Sequence, residues 1–210
     1  MTPDKRLFQA AKDGDFDSLV RAINAGADPN ARNSSGEGES PLHVAAWHGH
    51  TECIHALLDH GSDPNLVNAY GSAPLHWAAS KGHVKCVRTL LDHGASPDIV
   101  NSSDNTPMHW AALYNYAECV RAFLEHGAGP DPADDTGGTP LHVACMVGHV
   151  KCVHALLEHG ADPTLRDNEG QTARDLALER GQADCADLLD AQVARQALDE
   201  LWNERMEAKP

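Results

Sequence analysis

The sequence predicts an all-α fold, an elongated array of about six helix–turn–helix units rather than one globular core. Three observations carry this prediction. Ser40-Pro41-Leu42-His43 returns as Ala73-Pro74-Leu75-His76, Thr106-Pro107-Met108-His109 and Thr139-Pro140-Leu141-His142, with a degraded copy at Thr172-Ala173-Arg174-Asp175, so every start keeps one step of 33 residues. Gly49, Gly82 and Gly148 hold that step in one phase, Gly61, Gly94, Gly127 and Gly160 in a second, and Cys53, Cys86, Cys119, Cys152 and Cys185 in a third. Between these markers the apolar residues fall at helical spacing and mark one buried stripe per segment.

The elements follow in order. A short echo of the unit, Leu7-Phe8-Gln9-Ala10-Ala11, comes first and is two residues out of step, because the loop Ser35-Gly36-Glu37-Gly38-Glu39 is longer than its counterparts. Lys5, Arg6, Gln9, Lys12 and Asp13 give this first unit the polar face that a solvent-facing end unit needs. In later units the hydroxyls of Ser40, Thr106 and Thr139 can cap the first helix. The proline that follows occupies the first helical position, where no N–H is required. The inter-helix glycine permits a left-handed turn. Asn115 replaces it in the fourth unit, and asparagine is the next most tolerant residue there. A second helix, such as Cys86-Val87-Arg88-Thr89-Leu90-Leu91, ends in His-Gly, with the glycine as terminator. A polar turn such as 63–71 leads to the next unit. In the last unit Val193 stands where the others have glycine, so nothing stops the second helix. Leu188, Leu189, Val193, Leu198, Leu201 and Trp202 continue its apolar stripe, and a long C-terminal helix is expected.

The TPLH tetrapeptide, Ala-Ala-x-x-Gly-His, Leu-Leu-x-x-Gly-Ala and Asp-Pro-Asn recur in register over roughly residues 5–190, and in this the chain resembles the ankyrin repeat. The resemblance implies an ankyrin-repeat solenoid over 1–190, with repeats at about 5–37, 38–70, 71–103, 104–136, 137–169 and 170–193, and an extended C-terminal helix and tail over 191–210. It also implies a curved stack of helix pairs with hairpin-like turns projecting at one edge. No unit of this kind buries its apolar face alone; stacking makes the core.

Composition narrows the partners. Asp and Glu number 31 against 16 Lys and Arg, a formal charge of -15. A phosphate backbone needs a basic face, so no nucleic acid is expected as partner. The same sign disfavours anionic membrane surfaces. No apolar run approaches a membrane span, and the first residues, MTPDKRLFQAAKDGDF, lack the apolar core of a signal peptide. The expectation is a soluble, intracellular protein, cytoplasmic or nuclear, and monomeric.

The 14 histidines and six cysteines invite a metal or catalytic reading. Position explains them better. His43, His109 and His142 lie three residues after their capping hydroxyls and can reach back, as Glu does in a capping box. His76 follows Ala73 and lacks that hydroxyl. His60, His93, His126 and His159 precede the terminal glycines and can meet the last carbonyls of a helix. His50, His83 and His149 open the second helices. Equivalent residues in stacked helices stand about 8–10 Å apart, too far to converge on one zinc ion. That spacing also exceeds the roughly 7 Å limit between disulfide-bonded Cα atoms. The cysteines, Cys145 among them, read as small buried hydrophobes. No Ser-His-Asp arrangement and no phosphate-cradling glycine loop is present. Neither cofactor nor metal is expected, and the chain reads as a non-enzyme.

In ankyrin proteins partners dock on the turn tips and on the first-helix face of the concave side. Carried over by position, the two residues after each Ala-Ala pair point to that groove. The candidate partner-binding residues are Trp47, His48, Lys81, Leu113, Tyr114, Met146 and Val147, with Tyr70 on a turn tip. Ser80 occupies a groove position too. Large exposed apolar and aromatic side chains mark interaction sites. Asp134, Asp135, Asp167 and Glu169 make the later tips acidic, with Arg32 and Lys81 as basic exceptions. Trp77 and Trp110 occupy the positions of Val44 and Val143 and are expected to pack in the core. Asn65, after Asp63-Pro64, is similar to asparagines hydroxylated in other ankyrin domains. Pro64 departs from the usual aliphatic neighbour, and the expected role is a turn asparagine bonding its own backbone. The reading is a non-catalytic protein-interaction module. The rivals are an adaptor or inhibitor that docks a second protein through its C-terminal helix, an organising spacer, and a metal-binding or enzymatic protein that uses the histidines.

Overall fold

A computed structural model describes residues 1–34 and 36–207, with side chains beyond Leu198 described only at Trp202 and Met206. Helices form six pairs: α1 (Pro3–Asp13) and α2 (Phe16–Asn24), α3 (Pro41–His48) and α4 (Thr51–Asp59), α5 (Pro74–Ser80) and α6 (Val84–Asp92), α7 (Pro107–Leu113) and α8 (Ala117–Glu125), α9 (Pro140–Val147) and α10 (Val150–Glu158), α11 (Ala173–Glu179) and α12 (Ala183–Glu207). Among the described residues no strand forms; one isolated bridge joins Arg166 and Thr172.

The local signals act as their chemistry demands. Ser40, Thr139 and Thr172 accept a backbone N–H at the third helical position, and proline opens α3, α5, α7 and α9. Asn115 takes φ 64°, the left-handed value of the glycines it replaces. Gly49 is required twice over: its φ is 79°, and a Cβ there would lie 2.8 Å from the His83 ring.

First helices stack on first helices, and second on second. Ala45-Ala46, Ala78-Ala79 and Ala111-Ala112 are buried at the inner stack, where small side chains let backbones approach closely. Bulkier Ile54, Leu57, Leu90, Phe123 and Leu156 fill the space between the two rows. A stack held closer on one side curves towards that side, so the first helices line the concave face. One continuous apolar core runs from Leu7 to Leu189. Each large aliphatic side chain in it stabilises by about 1.5–3 kcal/mol relative to exposure.

The turns between pairs project as hairpins. Asn68, Asn101, Asp134 and Asp167 each donate a backbone N–H to the carbonyl four residues on, at 2.9–3.1 Å. Successive hairpins are tied to one another by Ala69 N–H to the Glu37 carbonyl, Ser102 N–H to Tyr70 and Asn168 N–H to Thr136. Asn65 acts differently from the sequence expectation. Its carboxamide bonds the next repeat, donating to the Gly94 carbonyl at 3.2 Å and accepting from Ser96 N–H at 2.8 Å. The turn itself is closed by Asp63, whose carboxylate accepts the Asn65 N–H.

The long C-terminal helix forms, at 25 residues. Among the described residues, full burial on this helix is confined to its first turns. Cys185, Ala186 and Leu189 are buried, and Arg174 grips Asp190 through two bonds of 2.5 and 2.8 Å. Val193, Leu198 and Trp202 are exposed, so the apolar stripe continues along the helix but rotates off the core. The Leu201 side chain lies outside the described residues.

Candidate functional site

The histidines of the repeated tetrapeptide are structural, and their bonding fixes the scaffold that carries the groove. Nδ1 of His43, His76, His109 and His142 accepts the backbone N–H of the capping residue at 3.1–3.2 Å. An N–H can only donate, so Nδ1 is bare and Nε2 carries the proton. Nε2–H then donates to a carbonyl of the following repeat: Ser72, Asn105, Gly138 and Gln171, at 2.9–3.2 Å. Each imidazole thus joins two repeats. Burial holds His43 and His76 neutral, with pKa values down to about 4.

Seven further histidines bond the backbone as well. Nδ1 of His60, His93, His126 and His159 lies 2.7–2.8 Å from the carbonyl four residues back, at the helix end. His50, His83 and His149 reach with Nε2 to the carbonyls of Lys12, Trp47 and Leu113. Those three carbonyls belong to equivalent groove positions of the preceding repeat, so the groove backbone is pinned from behind. Among the described residues no three His, Cys, Asp or Glu side chains converge as metal ligands. All six cysteines are free and buried. Burial pushes the Cys53 thiol up to about 11 and those of Cys119 and Cys152 up to about 12, which leaves almost no thiolate at neutral pH.

The candidate partner-binding residues stand at the C-terminal ends of the first helices. Trp47 and His48 end α3, Lys81 follows α5, Leu113 ends α7 with Tyr114 next, and Met146 and Val147 end α9. Trp47, Tyr70 and Tyr114 are 39, 56 and 48 % exposed, whereas Leu113, Met146 and Val147 are half-buried. Two clusters form. Lys81 Nζ sits 3.7 Å above the Trp47 ring, a cation–π contact, and Trp77 meets Trp47 edge-on at 4.8 Å. Tyr114 lies 6.1 Å from Trp110, with the rings near parallel. His48 turns to His50 instead, 5.9 Å away. Ser80 is buried, its hydroxyl donating to the Trp77 carbonyl, and it breaks the run of large side chains. Tyr70 stands apart on its hairpin, and Lys81 belongs to the helix end rather than to a turn tip.

Trp77 and Trp110 pack on the core as expected, but they also floor the groove beneath Trp47 and Tyr114. Sequence reasoning missed this second role. The signal was available: Trp77 to Lys81 and Trp110 to Tyr114 are i,i+4 pairs, which share one helix face. Neither indole N–H has a hydrogen-bond acceptor, a cost of about 1–3 kcal/mol for each buried donor.

Stacked helix pairs, projecting hairpins and a groove bearing aromatic side chains define a helical-repeat solenoid. A family model described as ankyrin repeats in three copies matches residues 7–101, 96–167 and 126–196. The chain belongs to the ankyrin repeat family. Its fold is similar to that of an ankyrin repeat domain from Acinetobacter baumannii, with a TM-score of 0.79, 27 % identity, and 89 % of this chain and 96 % of that one covered. Among curated relatives, human oxysterol-binding protein-related protein 1 is 37 % identical over 65 residues, 31 % of this chain and 7 % of that protein. An ankyrin repeat-containing protein of Schizosaccharomyces pombe is 30 % identical over 70 residues, 33 % of each chain. The E3 ubiquitin-protein ligase XBAT33 of Arabidopsis thaliana is 37 % identical over 67 residues, 32 % of this chain and 13 % of the ligase. These matches span a third or less of each curated relative. Ankyrin repeats are in general protein–protein interaction modules. Among the described residues no helix is long and apolar enough to cross a membrane.

Proposed function

We propose that the chain is a non-catalytic protein-binding module that takes its partner on the concave face. Trp47, Lys81 and Tyr114 act as anchors, Leu113, Met146 and Val147 form an apolar shelf, and Tyr70 and His48 stand at the margins. The observation that carries this reading is the exposure of Trp47, Tyr70 and Tyr114 on an array whose core buries its large aliphatic side chains. Aromatic anchors of this kind dominate binding energies. The groove backbone is held by the His83 and His149 bonds to Trp47 and Leu113, so partner binding meets a surface already ordered. The test is a quantitative pull-down with wild type and with Trp47→Ala/Tyr70→Ala/Tyr114→Ala, once circular dichroism shows the variant folded. Proteins enriched by the wild type and lost with the variant support the reading. Undiminished recovery by the variant refutes it.

A second reading is favoured by one observation. Val193, Leu198, Trp202 and Met206 are 44–67 % exposed on α12, a surface suited to a second protein. Under this adaptor reading, removing residues 194–210 loses one partner while the groove keeps the other.

A further inference from the structure

We propose that the groove is electrically polar along its length and selects one extended polypeptide segment of segregated charge. That segment carries carboxylates at one end, aromatic or aliphatic side chains in the middle, and Lys or Arg at the other end. The proposal rests on the concave-face reading and adds the chemistry of the partner.

The two ends of the groove differ in sign. At the N-terminal end a recess with apolar walls, Phe8 and Val44, carries Lys5, Lys12 and Arg32 against one carboxylate, Asp4. Asp4 accepts the Asp28 N–H at 3.0 Å and keeps its charge, so three cations outnumber one carboxylate there. Arg32 is held in place by two backbone carbonyls, Gly38 at 2.9 Å and Val67 at 2.8 Å, and neither neutralises its charge. At the C-terminal end a second recess, walled by Val143, Met146 and Leu176, carries Asp134, Asp167, Glu169 and Glu179 against one cation, Arg180. Arg180 lies 3.7 Å from Glu179, which leaves the remaining carboxylates uncompensated.

Turn chemistry does not require this negative charge. Oδ1 of Asp134 accepts the N–H groups of Thr136 and Gly138, and Oδ1 of Asp167 those of Glu169 and Gln171. Asn68 and Asn101 close the same turn in the earlier hairpins with a neutral carboxamide. Acid in the last two hairpins is therefore surplus to folding and available to a ligand. Between the two recesses lie the Trp47–Lys81 and Trp110–Tyr114 clusters. Opposite fields at the ends of a groove with apolar walls orient a ligand whose charges are segregated and reject one of uniform sign. Six stacked first helices at about 9 Å per step span about 45 Å, enough for about 14 extended residues.

The test is selection of a random 14-residue peptide library, displayed on phage, against the full chain at low salt. The expected consensus has acidic and basic residues at opposite ends of an aromatic or aliphatic middle. Selected synthetic peptides should bind Trp47→Ala/Tyr114→Ala at least about tenfold more weakly. Lys5→Glu/Lys12→Glu should weaken them about tenfold at low salt, less at high salt, and a peptide with its acidic end changed to lysine should recover the loss. Peptides that need Trp47 and Tyr114 but show no charge segregation overturn the polarity and leave the concave-face reading standing. Peptides indifferent to Trp47 and Tyr114, or no enrichment at all, overturn both.

Discussion

Acid should loosen this array through the histidines that join its repeats, and one substitution isolates the effect. His76 is 2 % exposed, with Nδ1 facing the Ala73 N–H and Nε2 facing the Asn105 carbonyl. Protonating Nδ1 would set one N–H against another in a buried site. Burial is the largest cause that lowers its pKa from the ordinary 6.5 to about 4, and His43 behaves alike. The folded state therefore binds fewer protons than the unfolded state between those values. Stability is fully present above pH 6.5 and falls as the pH drops towards 4. A group titrating at 6.5 unfolded and about 4 folded destabilises the fold by about 2 kcal/mol between pH 8 and pH 5. For the two histidines together this is about 4 kcal/mol, a large share of the usual 5–15 kcal/mol of a folded domain. The variant His76→Gln cannot titrate. Urea unfolding of wild type and variant at pH 8 and pH 5, followed by circular dichroism, separates this effect from the general titration of carboxylates. The variant is less stable at pH 8, and the gap to wild type narrows by about 2 kcal/mol at pH 5, near 1 M in urea midpoint. A gap that stays constant between the two pH values refutes the neutral-imidazole bridge.

Further outcomes follow from packing and chemistry. Phe123 is fully buried, and Phe123→Ala should cost about 3–5 kcal/mol in urea unfolding. Gly49→Ala should be more damaging than Gly61→Ala: both glycines have positive φ, but only at Gly49 does a Cβ meet a neighbour, the His83 ring. Equal midpoints for the two variants would remove the close-approach argument. A thiol reagent at pH 8 should label almost none of the six cysteines in the native protein and all of them in urea, since burial raises their pKa values. Deleting residues 194–210 should change the unfolding free energy by no more than about 0.5 kcal/mol, because Leu198, Trp202 and Met206 are exposed while Leu189 and the Arg174–Asp190 pair remain.

Much of the fold could be read from the sequence because a strict step of 33 residues makes each local signal repeat. A cap such as Thr139 and a turn residue such as Asn115 act within a few residues of themselves, so their chemistry is local. What escaped depends on stacking. The reach of His43 to the Ser72 carbonyl spans 29 residues, and no local pattern announces it. The local pattern at Asn65 points to a self-bonding turn residue for the same reason: its partners, Gly94 and Ser96, lie one repeat away. The stripe on α12 is legible in the sequence, yet the periodicity of a helix says which face is apolar and not what faces it. In the groove, the i,i+4 spacing places Trp77 on one face with Lys81 but does not announce the contact of Trp77 with Trp47. That contact requires two helices side by side.

The central claim, a partner on the concave face, is tested most directly by footprinting. Hydroxyl-radical labelling would be compared for the free full chain and for its complex with a protein recovered in the pull-down. The account predicts protection at Trp47, Tyr70, Tyr114 and Met146, with the outer faces of α4, α6, α8 and α10 unchanged. Protection confined to those outer helices or to Trp202 and Met206 on α12 would contradict it.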